Sequence, residues 1–147
     1  MTIVPGQINR KKLVIAVREV DKLFTQAILG DAFDVVLCHT LEDAKAAIDE
    51  QVGMVVCGVH FAQGAVFELL QFVRSNPVSR QVPFFVMLDT AGRYNYSPAI
   101  VHGLRAAAKA LGATGFTDLS ALVEKTGREE AIEILRRGIQ DALHKPD

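Results

Sequence analysis

This chain has no surplus of positive charge: its 16 lysines and arginines are offset by 17 aspartates and glutamates, leaving a formal net charge of -1. A protein that grips a phosphate backbone gains affinity by releasing condensed counterions, which takes a cationic surface, so no nucleic-acid partner is expected. Long hydrophobic runs are missing too. Nothing approaches the roughly 20 apolar residues that span a bilayer, and Met1 to Lys12 has no apolar core of the kind a secretory signal carries. These absences predict a cytoplasmic protein with no membrane partner. Cysteine is scarce, and both Cys38 and Cys57 sit inside apolar runs, which predicts buried free thiols rather than a disulfide. Glycine is absent where the first apolar run ends, in Arg18-Glu19-Val20-Asp21, so the backbone there cannot cradle a nucleotide phosphate. There is no internal repeat, low-complexity tract or linker. One domain is expected over 1–147, with its core between residues 12 and 143.

Half of the residues are hydrophobic and 22% are charged, a balance that excludes disorder and suits a sheet covered on both faces. A chain of this length buries about 68–70% of the surface its unfolded form exposes, enough for one core without staples. Short apolar runs alternate with amphipathic stretches five times. Leu13 to Val17 is continuous rather than alternating, as expected of a strand buried on both faces. A helix from near Asp21 should bury Leu23, Phe24, Ala27 and Ile28 and end at Gly30. Asp34 to Cys38 forms the second strand, and Thr40 with Asp43 opens a helix as a capping box, with Leu41, Ala44 and Ile48 inward. Met54 to Cys57 is the third strand. After Gly64, Val66, Leu69, Leu70 and Val73 mark a helix that Asn76-Pro77 breaks. Pro83 to Leu88 is the fourth strand. Ser97-Pro98 starts a helix with Val101, Leu104, Ala108 and Leu111 on one side, closed by Gly112. Ala113 to Thr117 is the fifth strand. The piece from Ser120 to Gly127 fits no unit, and a last helix from Arg128 to His144 should bury Ile132, Leu135, Ile139 and Leu143, with Arg136 and Arg137 outside.

Strand–helix alternation of this kind implies a parallel sheet with right-handed crossovers and helices on both faces. Five such units predict an α/β, flavodoxin-like (βα)5 three-layer sandwich with strand order 2-1-3-4-5. Ligands of such sheets bind beyond the C-terminal ends of the strands. That region collects Arg18-Glu19, His39-Thr40, Gly58-Val59-His60, Asp89-Thr90 and Asp118-Leu119.

The run Met54 to Phe61, followed by Gly64 and Phe67-Glu68-Leu69-Leu70, resembles strand 3 and helix 3 of response-regulator receiver domains. Pro83 opening strand 4, Gly112-Ala113 before strand 5 and Phe116 within it match as well, and the resemblance covers residues 12 to 143. It implies chemistry built on an aspartate at the end of strand 3 that accepts a phosphoryl group. An acidic pair after strand 1 holds Mg²⁺, a Ser or Thr follows strand 4, and a Lys follows strand 5. This chain departs at each: Gly58 stands at the acceptor position, Arg18 and Glu19 at the acidic pair, and Leu119 at the lysine. The hydroxyl position falls either near Leu88, counting from Pro83, or at Thr90. The resemblance therefore implies a degenerate receiver, a pseudo-receiver, that is not phosphorylated. Phe116 matches the aromatic that receivers rotate on activation, and packs equally well as a core residue.

Other combinations at the strand ends are weaker. His39 and His60 lack a third ligand, so no metal is expected; Cys57 and His60 do not make a catalytic pair if Cys57 points into the core. Asp21, Glu19 and Asp89 could gather a cation, but a helix cap and a solvated loop are simpler. The stretch Gly92-Arg93-Tyr94-Asn95-Tyr96 holds both tyrosines of the chain and lies in a segment longer than receivers have there. Arg93, Tyr94 and Tyr96 read either as a partner-binding hot spot or as a lid packed over the vacated pocket. The last helix, with Ala131, Ile134 and Ala142 widening its apolar stripe, suggests a homodimer through helix 4, strand 5 and the helix of residues 128–144. The expected function is a signalling module that works by binding a protein partner, with no enzyme activity, cofactor or metal. A small-molecule binder or enzyme using the pocket at the strand ends is the alternative.

Overall fold

The computed structural model describes residues 12–30, 33–88 and 96–144. Five parallel strands lie in the order β2-β1-β3-β4-β5: β1 (Lys12–Ala16), β2 (Asp34–Cys38), β3 (Val52–Gly58), β4 (Phe84–Leu88) and β5 (Gly115–Asp118). This is the predicted flavodoxin-like order. Among the described residues six α-helices connect and cover them: α1 (Lys22–Leu29), α2 (Leu41–Ala47), α3 (Val66–Ser75), α4 (Pro98–Ala110), α5 (Leu119–Thr126) and α6 (Arg128–His144). No helix among the described residues is long and apolar enough to cross a membrane.

Strand alternation divides the core in two. Val14, Ala16, Val55, Cys57, Phe84 and Val86 pack with Ala44 of α2, the α3 stripe Val66, Leu69, Leu70 and Val73, and Ala108 of α4. On the other face Leu13, Ile15, Met54 and Val56 pack with Ile28 and Leu29 of α1 and Leu135 and Ile139 of α6. Cys38 and Cys57 both register with Ala16, one strand to either side, and share the first core. Two strand spacings separate them by about 9.6 Å, beyond the reach of a disulfide, and both are free thiols.

The helix starts read locally from the sequence are made by local hydrogen bonds. Thr40 Oγ1 accepts from Asp43 N at 3.1 Å, and Ser97 Oγ accepts from Ile100 N at 3.3 Å with Pro98 at the first helical position. Asn76 ends α3 in extended geometry before Pro77, and Gly30 ends α1 with φ 55°.

Four expectations change. Leu23 is 78% exposed, because the buried stripe of the short α1 runs through Phe24, Ile28 and Leu29 and leaves Leu23 on the far side. Arg136 does not lie outside: its Nε donates to Ile28 O and its Nη2 to Ala27 O, both at 2.8 Å, so a cation from α6 caps the carbonyl end of α1. Asp21 makes no side-chain cap for α1. The piece after β5 is a helix, α5, started by Asp118 Oδ1 accepting from Ala121 N and ended by Gly127 at φ 89°. Because α5 packs beside β4 and β5, α6 lies further along the sheet against β3 and α1. The surface flanking β5 is thus made by α4 and α5 rather than by α4 and the last helix.

Candidate functional site

Sheet register sets the floor of the site. Ala16 pairs with Cys57 and Gly58 pairs with Met87, so Val17, Gly58 and Met87 follow one another across the C-terminal ends of β1, β3 and β4. Val59 N continues the ladder by donating to Met87 O at 2.8 Å. Gly58 is buried, and alternation puts its missing side chain on the face that carries Val56, Val17 and Met87. The position that the receiver resemblance assigns to the acceptor therefore has apolar neighbours on both sides.

Arg18 and Glu19 lead out of β1 into a 3₁₀ turn of Glu19–Asp21. The Arg18 guanidinium folds back onto Asp21, with Nε to Oδ2 at 2.9 Å and Nη2 to Oδ1 at 3.3 Å. This forked pair occupies the carboxylate that would otherwise be offered to a cation. Glu19 is exposed. The described residues contain no group of three or more metal-ligating side chains. Leu119 is the first residue of α5 and packs into the second core, so an apolar anchor stands where the resemblance implies a lysine.

The two histidines at the strand ends do not meet. His39 Nδ1 donates to Val17 O at 2.9 Å, a contact that fixes the Nδ1–H tautomer because a carbonyl only accepts. His60 instead shares a hydrogen bond of 2.7 Å between its Nε2 and the Tyr96 hydroxyl, and the two rings stack at 5.8 Å with 13° between their planes. Cys57 is fully buried in the first core. Burial, with Asp43 nearby, pushes the Cys38 thiol up and keeps it protonated, Lys12 opposing weakly.

Tyr96 thus lies against His60 and is half-buried. Thr90, Arg93, Tyr94 and Asp89 lie outside the described residues. Phe116 packs against the first core from β5, with the Arg105 guanidinium 5.1 Å above its ring. The pairing of His60 with Tyr96 was not readable from either residue. No spacing rule joins positions 36 apart on different loops.

The turn after β3 has an unusual backbone. Ala62 (φ 47°), Gln63 (φ 61°) and Gly64 (φ 94°) are successive residues with positive φ. A non-glycine residue held there costs about 1 kcal/mol or more, and such outliers concentrate where a site constrains the chain. The only sequence sign was Gly64.

Neither a family profile nor a curated protein sequence matches this chain. Solved structures do. The phosphorylated cyanobacterial phytochrome response regulator RcpA superposes with a TM-score of 0.67 at 12% identity, covering 94% of this chain and 97% of that one. The receiver domain of the sensor histidine kinase PA1611 from Pseudomonas aeruginosa, with magnesium in its active-site cleft, gives 0.60 at 14% identity over 86% and 95%. The chemotaxis response regulator CheY4 of Vibrio cholerae gives 0.58 at 19% identity over 86% and 97%. At these identities the likeness is one of fold, and this chain has the fold of response-regulator receiver domains.

Proposed function

We propose that this protein is a degenerate receiver, a signalling module that is not phosphorylated and acts by binding another protein. The observation that supports this most is the end of β3. Gly58 offers no oxygen nucleophile, its neighbours in register are Val17 and Met87, and the nearby Asp21 carboxylate is held by Arg18. Phosphoryl transfer to a receiver needs a carboxylate oxygen to attack phosphorus and a hard cation to offset the charge. The PA1611 receiver domain has magnesium in its cleft. Here a cation would have to displace a guanidinium from Asp21. The proposed module works by binding alone, without enzyme activity or a cofactor.

The deciding experiment is a two-dimensional amide NMR titration with Mg²⁺ and then beryllofluoride, a mimic of the phosphoryl group. Unchanged spectra are expected. Shifts confined to Glu19, Gly58 and their neighbours would overturn the reading, because they would mean that an acidic site survives. Self-association through α4, β5 and the helix after β5 belongs to the same proposal and is favoured by Ile100, which is half exposed on α4. Sedimentation velocity tests it: a monomer at every concentration removes the dimer from the proposal.

A further inference from the structure

The turn between β3 and α3 is pulled in two directions. Its backbone opposes the conformation it adopts, since Ala62 and Gln63 take the left-handed geometry that only Gly64 adopts without penalty. Geometry of this kind persists only where the surroundings over-determine it. Two side chains at the start of the turn do so. Phe61 is fully buried in the first core, and its carbonyl accepts from Gly64 N at 3.0 Å and Ala65 N at 2.9 Å. His60 is in contact with Tyr96 from outside, through a hydrogen bond and a ring stack.

These restraints differ in kind. Phe61 is fixed for as long as the core is packed. The hold on His60 includes a half-buried contact to Tyr96, in a different loop and two residues ahead of α4, and a hydrogen bond with a ring stack is of the same order as the strain it opposes. We propose that the His60–Tyr96 contact is a latch that keeps the turn after β3 in its left-handed form, so that whatever moves Tyr96 resets the turn. The latch joins the β3–α3 connection to the start of α4 across the end of the sheet. It gives the domain a way to change state that uses no acceptor carboxylate. The inference stands on the geometry of the turn and does not depend on whether the domain accepts a phosphoryl group.

Amide hydrogen exchange of the whole chain, read by NMR, tests it, because Gly64 and Ala65 carry the two N–H groups that open with the turn. Tyr96→Phe keeps the ring and deletes the hydroxyl. It should speed exchange at both amides by about fivefold to tenfold, with no change at Val14 and Ile15 in the middle of β1. His60→Phe should act the same way, and it carries the test if the first variant folds poorly. Adding Ala62→Gly to Tyr96→Phe relieves the strain and should slow both amides severalfold. Unchanged rates at Gly64 and Ala65 in both single variants would overturn the latch. So would equal acceleration at Val14 and Ile15, which marks a loss of global stability, or an Ala62→Gly change that leaves the rates where they were.

Discussion

Arg74→Met cuts a guanidinium out of a three-way junction at the end of the sheet opposite the site. Its Nε donates to Gly112 O at 2.8 Å, and its Nη1 donates to Arg80 O at 3.0 Å and Val82 O at 2.7 Å. Thus α3, the entry to β4 and the turn before β5 share one donor group. A hydrogen bond with a charged partner is worth about 1.5–3 kcal/mol when buried. The bonds to Gly112 and Arg80 are exposed, so water replaces most of their value, whereas the bond to Val82 is partly buried. Burial also pushes the guanidinium pKa down, a sign that the cation gives back part of the gain as lost hydration. Methionine keeps the aliphatic stem, so little packing is lost. The expected cost is about 2 kcal/mol, and with a urea m-value near 2 kcal/mol/M the midpoint falls by about 1 M. Arg74→Lys keeps the charge but not the planar fork, and should lose roughly half as much. Urea unfolding of the three proteins checks both figures. A loss below about 0.5 kcal/mol for methionine with an unchanged m-value would refute the argument, since water would then serve the carbonyls as well as arginine. Equality of lysine and arginine would show that charge matters and geometry does not.

Three further outcomes follow from the same structure. A Cβ at position 115 would lie 2.9 Å from Phe85 Cδ1 and 3.0 Å from Cε1, so Gly115→Ala should cost about 1–3 kcal/mol by forcing the ring aside; an unchanged urea midpoint would disprove the clash. Cys38 is raised by burial and Cys57 is fully buried, so neither thiol should react with a chromogenic disulfide reagent until denaturant is added, and rapid labelling of the native protein would contradict this. Asp49 is held below the usual carboxylate range, first by its hydrogen bond from Lys12 at 2.8 Å. A depressed folded-state pKa contributes stability above the unfolded value near pH 4, and that contribution is lost as pH falls through the folded value. The carboxylate is about half exposed, which limits the effect to less than about 1 kcal/mol. Wild type should therefore exceed Asp49→Asn in urea midpoint at neutral pH and match it in strong acid, and a gap that persists in acid would contradict the assignment.

What was legible in the sequence was local. Thr40, Ser97 and the break at Asn76-Pro77 act within a few residues of themselves, so spacing revealed them. Continuous apolar strands fixed a sheet covered on both faces, and the α3 stripe at i, i+3, i+4 and i+7 is buried in full. Failures came where a side chain acts at a distance or a pattern was incomplete. Arg136 reads as a solvent-facing residue of an amphipathic helix, yet its partners lie 108 and 109 residues away. Leu23 fits the helical period and is exposed, because an eight-residue helix buries one side only. The signals for α5 were present: Asp118 as cap, and Leu119, Leu122 and Val123 at helical spacing. A second helix directly ahead of Arg128 has no place in five regular strand–helix units, and so they passed unread.

Among the described residues, polar contacts that span the chain fall at both ends of the sheet, and their chemistry differs. Where the strands begin, Arg74 and the Lys12–Asp49 pair tie loops down with full charges. Where the strands end, the contacts include those of His39 and the His60–Tyr96 pair, made with imidazole and hydroxyl groups, and the Arg18–Asp21 ion pair. Charged ties to main-chain carbonyls resist opening more strongly than a ring stack with one hydrogen bond. Opening should therefore begin at the strand ends, around residues 60–65 and the start of α4, while the charged end stays closed. In a sheet of this kind that is also where partners and ligands are met.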